Sequence, residues 1–123
     1  MSKKVILLVT EDILSEWVNI LSASVEEEYI VKTCVPQEIN NYRDPILILV
    51  DLASIEDSVR FIKDLHSTAP SIPIVAVTSF PDWREARDVL KAGAIDCLIQ
   101  VYDVKQVKEN IQEQLMKLPL NIY

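Results

Sequence analysis

Apolar runs at Val5 to Val9, Ile46 to Val50, Ile72 to Val77 and Cys97 to Val101 alternate along this chain with amphipathic stretches of helical period. Runs rich in Val, Ile and Leu are the mark of strands buried on both faces. Their alternation with helices predicts a parallel sheet covered on each side. The segment Tyr29 to Val35 carries Lys32 and Thr33 among its apolar residues, which suits a second strand at a sheet edge. One run, Ile46-Leu47-Ile48-Leu49-Val50, ends directly in Asp51. In open α/β sheets the reactive groups gather at the carboxyl ends of the strands, so Asp51 is the residue to explain.

The helical stretches follow from spacing and caps. Leu14, Trp17, Val18 and Leu21 recur at i, i+3, i+4 and i+7, a single apolar stripe that makes Trp17 a packing residue. Only Gln37 to Arg43 is free for a second helix of about two turns, with Ile39 and Tyr42 as its apolar contacts, so the face it covers is the least protected. A third helix over Glu56 to Ser67 buries Ile55, Val59, Ile62 and Leu65, and Pro70 and Pro73 reset the chain for the next strand. Asp82 caps a fourth helix carrying Ala86, Val89 and Leu90. Gly93, the one glycine of the chain, ends it in a left-handed terminus. Asp103 caps a fifth, with Val104, Val107, Ile111, Leu115 and Leu118 on one side.

At 123 residues, half of them hydrophobic, the chain accommodates a single domain over residues 1–123. A formal charge of -7 argues against direct nucleic-acid binding, which requires a Lys/Arg surface. No apolar run approaches the roughly 18 residues of a membrane span, and Met1-Ser-Lys-Lys leads straight into a strand, which gives the expectation of a soluble, cytoplasmic protein. Cys34 and Cys97 sit in apolar strands without metal-ligand spacing and read as buried free thiols.

Right-handed crossovers place the carboxyl ends of all strands on one edge, where Thr10, Glu11, Asp12, Asp51, Thr78, Ser79 and Gln100 meet. With these residues, and with Lys91-Ala-Gly-Ala-Ile-Asp96 before the last strand, the chain resembles the receiver domain of two-component response regulators over Lys4 to about Lys117. The resemblance implies a flavodoxin-like (βα)5 three-layer sandwich with a parallel sheet in the order 2-1-3-4-5. It also implies that Asp51 accepts a phosphoryl group from a histidine kinase. Mg²⁺ would lie on Glu11, Asp51 and the backbone carbonyl of Ala53, with Asp12 a further acidic residue nearby. Thr78 would contact the phosphoryl oxygens, and Gln100 stands at the position of the family's lysine. Such a domain is a signalling module and not an enzyme. Its partner is a kinase or another signalling protein, and its last helix offers a face for homodimerisation.

Several residues depart from the family pattern. Thr10 replaces one of two acidic residues and Gln100 replaces the lysine, so the pocket loses one charge of each sign. Loss of the lysine removes an ionic hydrogen bond to phosphate, about 1 to 2 kcal/mol of phosphoryl-state stabilisation. Val101 stands where the family has a proline after a cis bond. Because a cis bond before a non-proline costs roughly 2.5 to 4 kcal/mol, Gln100-Val101 is expected to be trans. Cys97 replaces the aromatic switch residue, and Asp51 to Asp57 lacks the customary Pro and Gly.

Each candidate also has a plainer reading. Asp51 can cap the turn after its strand, Glu11 and Asp12 can be first-turn acids at a helix amino terminus, and Arg84 can be a surface residue instead of a substitute for the lysine. A pseudo-receiver that acts by protein contact is the alternative to phosphotransfer, favoured by Thr10, Gln100 and Val101. A flavin or nucleotide site is disfavoured by the absence of a glycine-rich first loop.

Overall fold

The computed structural model describes residues 3–117. Five strands, β1 (Lys4–Val9), β2 (Tyr29–Cys34), β3 (Leu47–Asp51), β4 (Ile74–Thr78) and β5 (Asp96–Ile99), form one parallel sheet in the order β2-β1-β3-β4-β5. This is the flavodoxin-like arrangement expected from the sequence. Every residue of β3 and β4 is buried, whereas β2 alternates between partly buried and exposed positions, as its edge place requires.

Helices α1 (Glu16–Val25) and α4 (Val104–Met116) cover one face, where Trp17, Leu21, Val107 and Ile111 pack on Ile6, Leu8, Leu49 and Val77. Helices α2 (Ser58–Thr68) and α3 (Trp83–Ala92) cover the other, where Ile62, Leu65 and Val89 pack on Leu7, Val9, Ile48 and Ala76. The stretch expected as a second helix is a 3₁₀ segment, Pro36–Asn41. Ile39 and Tyr42 still pack against the core there, but a cavity of about 110 Å³ remains beneath them, bounded by Ile48, Leu65 and Ile72.

Two details of the helices differ from the spacing argument. Leu14 is not part of the α1 stripe: it is 90% exposed, one residue before the N-cap Ser15. Residues 10–12 are held in a turn by side-chain bonds at the end of β1, so the helix starts later than the periodicity suggests. Leu90 and Val104 are each nearly half exposed, and Val89 and Val107 supply buried contacts of their helices. Leu118, assigned to the last helix from spacing, lies outside the described residues. Asp82 and Asp103 cap α3 and α4 as expected, accepting from the amides of Arg84 and Lys105. Gly93 ends α3 at φ 127°, and a Cβ there would lie 2.5 Å from Cγ of His66, so both conformation and space demand glycine. The loop after Asp51 completes its path without Pro or Gly by placing Asp57 in the left-handed region at φ 50°.

Candidate functional site

Asp51 closes β3 at the carboxyl edge of the sheet, paired with Val77 of β4 and only 8% exposed. A carboxylate buried this far requires donors. Thr10, 1% exposed, donates its hydroxyl to Asp51 Oδ2 at 2.8 Å, and the amide of Ala53 donates to Oδ1 at 3.3 Å. Thr10 is itself fixed because its amide bonds to Cys34 O, which continues the β1–β2 ladder past the strand end.

The donors form a chain. Glu11 N donates to Ser54 Oγ at 2.9 Å, and Ser54 Oγ lies 3.1 Å from Thr10 Oγ1. Asp12 N also donates to Thr10 Oγ1, at 2.9 Å. Since the one hydroxyl proton of Thr10 goes to Asp51, Ser54 is the donor in its pair with Thr10. Thr10 and Ala53 thus donate to the carboxylate directly, and Glu11, Asp12 and Ser54 join it through the Thr10 hydroxyl.

The other residues singled out from the sequence divide around this network. Glu11 and Asp12 enter it through their amides, and both residues are exposed. Ala53 likewise contributes its amide. Thr78 is buried at the end of β4, but its hydroxyl bonds to Phe80 O at 2.9 Å and to Glu85 Oε1 at 3.0 Å, with Phe80 N donating back at 3.3 Å. Gln100 pairs its amide with Thr78 O at 2.8 Å, while its Oε1 accepts from Ser79 and Tyr102 hydroxyls at 3.4 Å each. No cis peptide bond occurs among the described residues, so Gln100-Val101 is trans as expected, and the indole of Trp17 donates to Val101 O at 2.9 Å. Arg84 does not bring its charge to Asp51: it pairs with Asp82 at 3.8 Å and lies 5.9 Å from the centre of the Trp83 ring.

A Mg²⁺ at this edge would rest on one or two carboxylates, Asp51 foremost, with water completing its shell. One oxygen of Asp51 is already bonded to a hydroxyl, and among the described residues no three His, Cys, Asp or Glu side chains cluster to hold a metal. Burial, with the charges of Glu85 and Asp96, pushes the Cys97 thiol up to about 11. Burial and Glu38 do the same for Cys34, so both remain protonated thiols at neutral pH.

Two contributors, Ser54 and Glu85, escaped the sequence reading. Ser54, three residues beyond Asp51, could have been found as a short-range turn hydroxyl, but its partners Glu11 and Thr10 come from another strand.

The comparisons with known proteins agree with this architecture. No family model matches the chain. It is 34% identical over 70 residues to the transcriptional regulatory protein ZraR of Salmonella typhimurium, a match covering 56% of this chain and 16% of ZraR. It is 30% identical over 73 residues to the transcriptional regulatory protein PhoP of Escherichia coli, covering 58% of this chain and 33% of PhoP. The chain therefore spans a third or less of the length of these relatives. A response regulator from Thermotoga maritima superposes with a TM-score of 0.79 at 18% identity, over 94% of this chain and all of that one. Taken with the strand order and the aspartate closing β3, these matches support a response-regulator receiver domain. No helix among the described residues is long and apolar enough to cross a membrane.

Proposed function

We propose that this receiver domain signals by protein contact in a state set by its own hydrogen bonds, and not by metal-dependent phosphorylation of Asp51. The observation that carries this reading is the Thr10 hydroxyl on Asp51 Oδ2 at 2.8 Å. Where the resemblance calls for an acidic metal ligand, the chain supplies a neutral proton donor, and the carboxylate is satisfied without a metal. Phosphoryl transfer relies almost wholly on positioning and on charges that neutralise the transferring group. Here the lysine position holds Gln100, engaged with Ser79 and Tyr102, and Thr78 is engaged with Glu85. The compartment assigned by this reading is the cytoplasm, and the partner is another signalling protein or a second copy of the chain.

The second reading is phosphoryl transfer from a histidine kinase to Asp51, with Mg²⁺ on Glu11, Asp51 and the Ala53 carbonyl. Its support is the place of Asp51 at the end of β3, next to β4 and Thr78. Backbone amide NMR with Mg²⁺ alone and with Mg²⁺ plus beryllofluoride separates the two. The wild-type spectrum is expected to be unchanged by both additions, whereas a Thr10→Asp/Gln100→Lys double variant gains shifts around Glu11, Asp51 and Thr78. Wild-type shifts that disappear in Asp51→Asn would overturn the first reading and establish the second.

A further inference from the structure

Asp82-Trp83-Arg84-Glu85 has the spacing of a capping box, in which the acid three residues beyond the cap reaches back to the amide of the cap residue. Neither bond of the box is made: Asp82 caps the helix through the Arg84 amide at 2.9 Å, one residue short of Glu85. The Glu85 carboxylate is directed elsewhere, with Oε1 3.0 Å from the hydroxyl of Thr78, across the loop at the end of β4. Thr78 has one hydroxyl proton and two acceptors within reach, Glu85 Oε1 and Phe80 O at 2.9 Å. The ionised carboxylate makes the stronger bond. With Phe80 N donating to the same oxygen, the hydroxyl is committed on both its donor and acceptor sides.

We infer that Glu85 is a positioning residue that turns the Thr78 hydroxyl toward α3 and so sets the shape of the α3–β5 face without a phosphoryl group. Glu85 sits in the first turn of α3, two residues from Trp83, which is 70% exposed. Thr78, Trp83, Ala86, Cys97 and Ile99 line one open groove on that face, of about 440 Å³. Tying Thr78 to Glu85 therefore joins the end of β4, the first helical turn and one wall of the groove in a single arrangement. The rise of the Cys97 thiol in the presence of Glu85 agrees with the carboxylate lying near β5 as well as β4. The consequence for signalling rests on the reading given under Proposed function, but the arrangement itself does not.

The test is NMR of the full chain in metal-free buffer, without beryllofluoride, for wild type, Glu85→Ala and Glu85→Gln. In Glu85→Ala the Thr78 methyl, Phe80 amide and Trp83 indole resonances are expected to move and the Thr78 χ1 coupling to change. Glu85→Gln, which keeps an acceptor oxygen, should return them most of the way. Should Glu85→Ala fail to fold, Thr78→Val is expected to move the Phe80 and Trp83 resonances, with no further movement when Glu85→Gln is added. Shifts confined to residues 84–88, or a Thr78→Val variant that leaves the Phe80 and Trp83 resonances in place, would overturn the inference. Because no metal or phosphoryl mimic is present, failure here leaves the metal-free reading of Asp51 untouched. Beryllofluoride uptake by the wild type would in turn leave the Thr78 result standing.

Discussion

Asp51 and Asp96 stand at opposite edges of the same parallel sheet, one as the last residue of β3 and the other as the first of β5, and they are held in contrasting ways. Asp51 receives only neutral donors, the Thr10 hydroxyl and the Ala53 amide. Asp96 receives the Lys117 ammonium at 2.7 Å, the Gln114 amide at 2.8 Å and the Cys97 amide at 2.7 Å. Burial pushes the Asp96 carboxyl up, but the bonds from Lys117, Gln114 and Cys97 outweigh it and hold the group below the usual carboxylate range. The same contact raises Lys117. The carboxylate joined to a lysine is the one that ties α4 to β5. The difference teaches that at Asp96 charge pairing serves the packing of α4, while Asp51 is held by a hydroxyl and an amide.

The largest effect expected from breaking that contrast is at Asp96. Gln114 is 1% exposed, and its Oε1 already lacks a partner among the described residues, so Asp96→Ala leaves its Nε2 without an acceptor as well. A loss of about 2 to 3 kcal/mol is expected from an unsatisfied buried amide, read as a lower urea midpoint. An unchanged midpoint would show that the Asp96 cluster is not what holds α4. Thr10→Val comes next. It preserves volume but removes the hydroxyl bonded to Asp51, Asp12 and Ser54, and about 1 to 2 kcal/mol of destabilisation is expected. A double-mutant cycle with Asp51→Asn should assign part of that loss to the Thr10–Asp51 pair; strict additivity would mean the two residues are independent.

The smallest effect is the dependence on pH. Because the pKa of Asp96 is lower in the folded chain than its ordinary value of about 3.9, its ionised form stabilises the fold above about pH 4. That contribution is lost as pH falls through the lower, folded value. Acid titrations followed by circular dichroism should show Asp96→Asn with a shallower loss of stability below pH 4 than the wild type. Parallel acid limbs would assign the dependence to other carboxylates.

The alternation of apolar runs and helical stripes determined the class of fold, the edge place of β2 and the burial of β3 and β4, because periodicity encodes which side of an element leaves water. Asp51 at the sheet edge and the caps Asp82 and Asp103 were legible for the same local reason. The start of α1 was not, since Leu14 fits the stripe while bonds to Ser54 and Thr10 hold residues 11 and 12 outside the helix. In the sequence, Thr10 is a missing acid and Gln100 a missing lysine, and nothing marks Glu85 as a partner of Thr78. Only the tertiary structure decided that Thr10 donates to Asp51, that Gln100 meets Ser79 and Tyr102, and that Glu85 takes the Thr78 hydroxyl. The final bond of a polar side chain depends on which atoms other elements bring within about 3 Å, and no period or local spacing carries that information.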